Sequence, residues 1–249
     1  MSRSSNSKMR ETFSEIPVES LCDKVMASMK DAFFSGLLKP GDAIVERQIA
    51  QQMGVGSPAV REALITLQQQ GFVRRVANTA TYVNSFSVDE VRQLYQLRIE
   101  LEVLAFRWAK PMVKNEDFAV LEGFVEAMAA AAKDKDSREF FEHDLEFHRH
   151  CWKLSGNKYL EQSLENLVPA LFAFVLNASS ESVQEVVAKQ HLQIIGALKS
   201  AYDPELSSII RESLNSFAMQ TVSSIAERRN QAVYLSSSAP SSESSDSRA

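Results

Sequence analysis

The sequence predicts a mainly α-helical protein in two parts, a short N-terminal part that includes a hairpin and a longer C-terminal part built only of helices. Three observations support this prediction. Apolar residues recur at helical spacing along most of the chain. Segments before residue 84 are short and interrupted by Gly and Pro, whereas long segments with few breakers follow residue 89. Strand-like segments occur only near residues 72–83.

Composition and length are those of a globular protein without a membrane anchor. The 249 residues suffice for one large or two ordinary domains, and 45% of them are apolar and 24% charged. No segment approaches the roughly 18 apolar residues that span a bilayer, and the N-terminus lacks the apolar stretch of a signal peptide. Cys22 and Cys151 are too few for a disulfide framework, so we expect a cytoplasmic protein with reduced thiols.

Charge and low-complexity segments indicate where the parts begin and end. We expect disordered tails at residues 1–15 and 233–249, the second rich in serine. The predicted domains cover residues 16–86 and 87–232. Residues 1–86 carry ten basic and eight acidic side chains, whereas the remainder carries 17 and 24. This asymmetry is consistent with a DNA-facing module joined to an acidic one but is too weak to show it alone.

The first two elements of the N-terminal domain are predicted to be helical. The segment from Val18 to Phe34 carries one apolar stripe at spacings of four residues, formed by Leu21, Val25, Met29 and Phe33. Gly36 and the Pro40-Gly41 pair then end the helix and turn the chain. A short second segment runs from Ile44 to Met53, and Gly54 supplies the tight turn after it.

A third helix and a hairpin complete this domain. The helix is predicted from Ser57, its cap, to Gln70, and Gly71 ends it. Its buried side consists of Val60, Leu64 and Leu67. Residues 72–76 and 81–83 then form two short strands joined by residues 77–80. Two short helices that are joined by a tight turn and followed by a hairpin constitute a winged helix-turn-helix.

In this motif the second helix enters the major groove of double-stranded DNA with its N-terminus first. Arg61 lies one turn into this helix and can reach a base edge or a phosphate, while Arg47 begins the preceding helix and can reach a backbone phosphate. The predicted wing carries two further cations, Arg74 and Arg75. In the alternative interpretation the unit is an ordinary small scaffold, and Arg61 pairs with Glu62 or Glu46 at the surface.

Residues 35–73, SGLLKPGDAIVERQIAQQMGVGSPAVREALITLQQQGFV, carry a series of short motifs in fixed order. These are Gly36, Pro40-Gly41, Glu46 with Ile49 and Ala50, Val60-Arg61-Glu62-Ala63-Leu64, and Gly71. The series resembles the DNA-binding domain of the GntR family of bacterial transcription regulators. The resemblance implies that Arg47 and Arg61 contact DNA.

Two departures from the family pattern bear on DNA affinity. The family usually has Ser-Arg-Thr-Pro before Val-Arg-Glu, whereas this chain has Gly56-Ser57-Pro58-Ala59. Ser57 therefore occupies the place of an arginine that contacts DNA. Ala80 stands where the wing tip normally has a glycine. Because a cation is lost, we expect weaker attraction to phosphates at this point of the helix.

The C-terminal part is predicted to be an all-helical bundle of about six helices. Ser87 caps the first of them, and Glu90 completes a capping box. The predicted helices cover residues 87–109, 114–133, 137–155, 158–177, 181–201 and 203–231. The short links between them indicate antiparallel neighbours.

Several polar residues of this bundle are predicted to face its interior. On a helical wheel of about 100° per residue, Asp144 and His148 lie in the middle of one apolar face. His191 on a second helix, and Arg98 with Glu102 on a third, have the same surroundings. Because a buried unpaired charge is costly, these groups need partners. They can pair within each helix, but inward polar groups on three helices favour a shared polar cavity.

Asp and His four residues apart on a helix can bind one metal ion, and a later inward His can complete the site. The segment DLEFHRHCWKLSGN, residues 144–157, and the later His191-x-x-Ile-x-x-Ala-Leu198 are similar to the FCD ligand-binding domain of the FadR subfamily. The resemblance implies a divalent metal ion, Zn²⁺ or Ni²⁺, bound by Asp144, His148 and His191. Ser213 stands where a fourth ligand, a histidine, is usual.

The same resemblance implies a small carboxylate effector bound beside the metal. Arg98 matches a position that contacts the carboxylate of the effector, and Asn157 matches a position near the cavity. Glu102 and Ser213 complete the candidate effector site. The candidate effector residues therefore lie far apart in the sequence of the bundle.

The resemblance implies a homodimeric regulator, with repression favoured over activation, whose affinity for operator DNA shifts when a small organic acid binds. The rival hypothesis is a helical metalloenzyme, in which the three candidate metal ligands activate water and Glu102 acts as the base. It leaves the first 85 residues unexplained, so we expect that the protein is not an enzyme. A third hypothesis is a scaffold with a degenerate site, in line with Ser57 and Ser213.

Overall fold

The computed structural model describes residues 20–76, 80–176, 181–200 and 203–237. The predicted N-terminal tail, the hairpin turn at residues 77–79 and the predicted C-terminal tail beyond Ser237 lie outside these ranges. Within the ranges, no helix combines the length and the apolar character needed to cross a bilayer.

The described N-terminal part contains three helices and a small sheet. Its elements are α1 (Leu21–Phe34), β1 (Ala43–Ile44), α2 (Glu46–Met53), α3 (Ser57–Gln69), β2 (Val73–Val76) and β3 (Ala80–Val83). β3 lies in the centre and pairs antiparallel with both other strands. The sequence does not predict β1, because two residues are too few to show a strand period. β1 ties the start of α2 to the hairpin, since Ile44 pairs with Thr81.

Two predictions about the N-terminal helices need correction. Leu21 is 55% exposed, although the predicted apolar stripe included it among the inward residues. Cys22 is buried with Val25 instead. Four residues turn a helix by about 400°, so a strict spacing of four drifts by about 40° at each step. Ser57 is the first residue of α3 and not its cap, because Gly56 takes the cap position without a side-chain hydrogen bond.

The described C-terminal part is a bundle of α-helices, as predicted. They are α4 (Val88–Ala109), α5 (Asn115–Asp134), α6 (Ser137–Leu154), α7 (Lys158–Leu176), α8 (Glu181–Lys199) and α9 (Asp203–Ser237). The predicted capping box is present, with Ser87 and Glu90 each accepting from the other's backbone amide. A 3₁₀ turn follows α4 at Lys110–Met112. α9 continues to Ser237, past residue 231, where the sequence predicts its end.

Helix α7 contributes to the cores of both parts. Phe172 is buried in the core of the bundle, whereas Ala170 and Ala173 belong to the core of the N-terminal part. Gly71, which has a φ of 75° after the end of α3, lies against this helix, and a Cβ there would be 3.6 Å from that of Ala170. Small residues on both sides therefore allow close docking. The sequence does not reveal this contact, because alanine is also the commonest helix former.

Candidate functional site

The first candidate site is the exposed edge formed by α2 and α3. Gly54, with a φ of 63°, makes the tight turn between the two helices. Ser57 in the first turn of α3 is exposed, as are Arg61 one turn later and Arg47 at the start of α2. The leading turn of α3 therefore faces outward, which is the arrangement that a major groove requires.

Arg61 and Arg75 converge on one carboxylate at this edge. Nε and Nη2 of Arg61 donate to Oε2 of Glu46 at 3.2 and 3.1 Å, and Nη2 of Arg75 donates to Oε1 at 3.2 Å. The pairing of Arg61 with Glu46 that the alternative interpretation expected is therefore present. Arg61 nevertheless remains 59% exposed, and ion pairs this exposed contribute only about 0–1 kcal/mol. The pair therefore leaves Arg61 accessible to a ligand.

Arg74 lies apart from the other predicted DNA-contacting residues. Neighbouring residues of a strand point to opposite faces, so Arg74 turns away from the side on which Arg75 meets Glu46. Its guanidinium lies 5.2 Å from the ring centroid of Tyr82, its partner across the strand pair. The structure thus groups Arg61 with Arg75 but does not bring Arg74 to them.

The second candidate site is a polar cluster buried inside the helical bundle. Asp144 and His148 from α6 and His191 from α8 are at most 3% exposed. One ligand atom of each lies within 4.8 Å of the others. Nε2 of His191 is 2.9 Å and Nε2 of His148 is 3.5 Å from Oδ1 of Asp144. Together they form the only such group of potential metal ligands within the described ranges.

The hydrogen bonds of His191 show that this cluster suits a cation. Nδ1 of His191 lies 2.8 Å from the carbonyl oxygen of Val187 and donates its proton to that oxygen. Nε2 of His191 and Oδ1 of Asp144 are both buried, and neither atom has a hydrogen-bond partner. A metal ion bound by both atoms would satisfy them. The residues present therefore fit a metal ion.

Electrostatics also favour a positive charge here. Burial alone would raise the pKa of Asp144, but His191 and His148 hold it well below its usual value, so the carboxylate stays ionised. Burial alone would lower the pKa of His148, but Glu102 and Asp144 raise it above its usual value.

Glu102 lies behind His148 rather than at an open face of the site. Its carboxylate accepts from Nε1 of Trp152 at 2.8 Å and from Nε of Arg98 at 3.3 Å, and it is 3.1 Å from Nδ1 of His148. Burial would raise the pKa of Glu102, but His148 and Arg98 hold it below its usual value. A carboxylate on the far nitrogen of a histidine orients the other nitrogen toward a metal. Glu102 is therefore placed to orient His148.

Arg98 lies between this cluster and α7. Its Nη2 is 3.4 Å from Nε2 of His148, and its guanidinium lies 4.7 Å from the ring centroid of Phe172. Arg98 also lines a small cavity together with Asp144, His148, His191, Gln190 and Ser213. The cavity measures about 10 Å³, enough for one water or ion but far below the roughly 300 Å³ of a small-molecule pocket.

Ser213 and Asn157 lie in different places. Ser213 lines the cavity and donates from Oγ to Oε1 of Gln190 at 3.1 Å. Asn157 is not among the residues that line the cavity. Its Oδ1 accepts from the amides of Tyr159 and Leu160, both at 3.1 Å, and so caps the first turn of α7. An asparagine just before a helix is the usual sequence signal of such a cap.

Three residues at the site were not assigned to it from the sequence. They are Trp152, Phe172 and Gln190. Trp152 carries a usable signal, because a buried indole N–H needs an acceptor and Trp152 lies one turn after His148. The sequence contains no such signal for Phe172 and Gln190, since their contacts depend on how α4, α7, α8 and α9 are arranged.

Comparisons with known proteins identify both parts of the chain. The model of the bacterial regulatory proteins of the gntR family matches residues 21–83, and the model of the FCD domain matches residues 93–216. The regulator YdhC of Bacillus subtilis is 27% identical over 173 residues, 69% of this chain and 77% of YdhC. The repressor RspR of Escherichia coli is 27% identical over 66% of this chain and 72% of RspR.

Solved structures show the same fold. E. coli McbR/YncC has a TM-score of 0.73 at 21% identity and covers 82% of this chain and 98% of its own. A GntR regulator of Rhodococcus has a TM-score of 0.71 at 16% identity, covering 81% and 97%. Because its two domains match in the family's order and its relatives are regulators rather than enzymes, the chain belongs to the GntR family and is a DNA-binding transcriptional regulator with an FCD domain.

Proposed function

We propose that this regulator works in the cytoplasm as a homodimeric repressor, whose affinity for operator DNA changes when a small organic acid binds next to a divalent metal ion. The observation that carries the ligand-binding part is Nε2 of His191, a buried nitrogen that lies 2.9 Å from Oδ1 of the ionised Asp144 without a hydrogen bond. Repression is favoured because RspR and a gluconate operon regulator of Bacillus licheniformis are repressors, although the similar Glc operon regulator of E. coli is an activator.

The donor set suits Zn²⁺ or Ni²⁺. Two imidazole nitrogens and one carboxylate oxygen are typical ligands of these ions, and three protein ligands leave coordination positions open. The metal, when bound, supplies positive charge that attracts the carboxylate of an effector. Arg98 adds a second cation at the same cavity. Ser213 lines the cavity as a neutral side chain, so the protein itself offers no fourth strong ligand there.

At the DNA, α3 is proposed to enter the major groove with Arg61 at a base edge. Arg47 binds a backbone phosphate, and Arg75 supports Arg61 from the wing. Ser57 offers a hydroxyl to a phosphate at the N-terminus of α3. Arg74 contributes charge from the other face of the hairpin.

Replacing Arg61 by alanine tests this arrangement. We expect operator affinity to fall about 10- to 100-fold, because a bidentate arginine–guanine contact contributes about 1–3 kcal/mol. Fluorescence anisotropy with DNA from upstream of the protein's own gene, and with a scrambled duplex, measures the change. Arg107→Ala, at an exposed position on α4, is the control. Equal operator affinity for Arg61→Ala and the native protein would refute the assignment of α3.

The proposed dimer uses an exposed apolar stripe on α4. Leu97, Leu104 and Trp108 are exposed at spacings of seven and four residues, and Met112 extends the stripe. Contiguous apolar side chains that are exposed on a monomer usually mark an interface with another protein. Two copies of α4 packed antiparallel around a twofold axis bring Leu97 of one copy opposite Trp108 of the other.

A charge in this stripe should separate the dimer. Leu97→Glu places a carboxylate at a position that is 52% exposed, so the fold tolerates it, but burial in the interface does not. We expect sedimentation to show monomers and operator binding to weaken. Leu192→Glu, at a position that is 55% exposed on α8, is the matched control and should remain dimeric. A dimeric Leu97→Glu protein would exclude this face of α4 as the interface.

A further inference from the structure

The carboxylate of Glu46 connects three elements of the DNA-binding domain. Glu46 begins α2, while its partners lie 15 residues away on α3 and 29 residues away on β2. Its side chain is only 23% exposed, and each oxygen accepts from a different arginine. We propose that Glu46 determines DNA specificity, by orienting Arg61 for base reading and by weakening the attraction of the Arg61–Arg75 pair to phosphates. This inference rests on the proposed base contact of Arg61.

The hydrogen bonds leave a defined part of Arg61 free. Glu46 occupies the edge of the guanidinium formed by Nε and Nη2. The end of the guanidinium, formed by Nη1 and the second N–H of Nη2, keeps two N–H groups for another acceptor pair. A guanine offers such a pair, O6 and N7, in the major groove. Because Glu46 fixes the plane of the guanidinium, this free edge is held in one orientation before DNA arrives.

Charge compensation gives the second part of the effect. Arg61 and Arg75 share one carboxylate, so this cluster carries one net positive charge instead of two. Binding to any DNA, whatever its sequence, depends on the number of cations that neutralise phosphates. Glu46 therefore weakens binding to random DNA, while a correctly placed guanine still meets the free edge of Arg61.

The test uses Glu46→Gln in the full-length protein, which keeps the size of the side chain and removes its charge. Anisotropy measures affinity for the upstream duplex and for a scrambled duplex over a series of KCl concentrations. We expect random-sequence affinity to rise severalfold and its salt slope to steepen by about one. The ratio of operator affinity to random-sequence affinity should fall about three- to fivefold, the scale of an exposed ion pair. Glu62→Gln, the same charge change one residue from Arg61, is the control and should leave the ratio within twofold.

A double-mutant cycle separates this inference from the proposed role of Arg61. In an Arg61→Ala background, Glu46→Gln should no longer lower the ratio of operator affinity to random-sequence affinity. A ratio that falls equally in both backgrounds overturns the orienting role of Glu46, and so does an unchanged ratio in the single variant. A purely structural Glu46 would change the melting temperature and leave the ratio and the salt slope as they are. Normal operator affinity of Arg61→Ala alone would instead overturn the proposed base contact.

Discussion

Replacing His191 by alanine is expected to lower the affinity of the protein for Zn²⁺ or Ni²⁺ at least about a hundredfold, because loss of a direct ligand exceeds the 10- to 100-fold effect of losing an outer hydrogen-bond partner. The variant removes the ring nitrogen that faces Asp144 and leaves two protein ligands. Calorimetric titration of metal-stripped protein, with elemental analysis after dialysis, measures the change. Thermal stabilisation by the metal should disappear in parallel.

Two further variants make this result interpretable. Asp144→Asn keeps the shape of the side chain but removes the ionised oxygen, so it should lose metal affinity without collapse of the core. His143→Ala, on the same helix but one-third exposed beside Glu139, should bind metal as the native protein does. Circular dichroism establishes that each variant is folded. Stoichiometric metal in both His191→Ala and Asp144→Asn would rule out this cluster as the site.

The buried cluster shows what sequence periodicity can predict and what it cannot. The inward direction of Asp144, His148 and His191 follows from the fixed turn per residue of a helix, and the structure confirms their burial. Periodicity contains no information about neighbouring helices, so the sequence did not show that Glu102 bonds to His148 from behind. The family resemblance likewise did not show that Asn157 caps α7, a local role that decides where its side chain lies.

The N-terminal domain shows the same limit. Its helices and hairpin follow from periodicity, glycines and turn residues, all of which act over a few positions. The pairing of Glu46 with Arg75 and the docking of Gly71 on Ala170 join residues far apart in sequence. Such contacts depend on packing between elements, and a single sequence does not record them.

The second large effect concerns communication between the two domains. The cavity of about 10 Å³ is too small for an organic acid, so residues that line it, Arg98 among them, would have to move for one to bind there. Arg98 stacks on Phe172, and the same helix packs Ala170 and Ala173 into the core of the DNA-binding domain. We propose that α7 carries a displacement of Arg98 to the DNA-binding domain.

Phe172→Leu is expected to uncouple the domains while each still binds its own ligand. Coupling between two sites is typically 5- to 150-fold, and we expect the change in operator affinity caused by the acid to fall to about twofold or less. Operator affinity without the acid should stay near native, because α3 is not altered. The measurement is anisotropy with the upstream duplex, with and without an acid chosen by a thermal-shift screen on metal-loaded protein.

A matched control separates coupling from loss of stability. Phe140→Leu removes the same atoms from the same core, where Phe140 contacts Phe141 but has no ring contact with Arg98. Both variants should be destabilised by about 0.5–3 kcal/mol, the usual range for a core substitution. Only Phe172→Leu should lose the response. An equal response in both variants would mean that the acid acts through another contact, whereas loss in both would mean that core rigidity in general carries it. The stacking of Arg98 on Phe172 is the specific path only if the two variants differ.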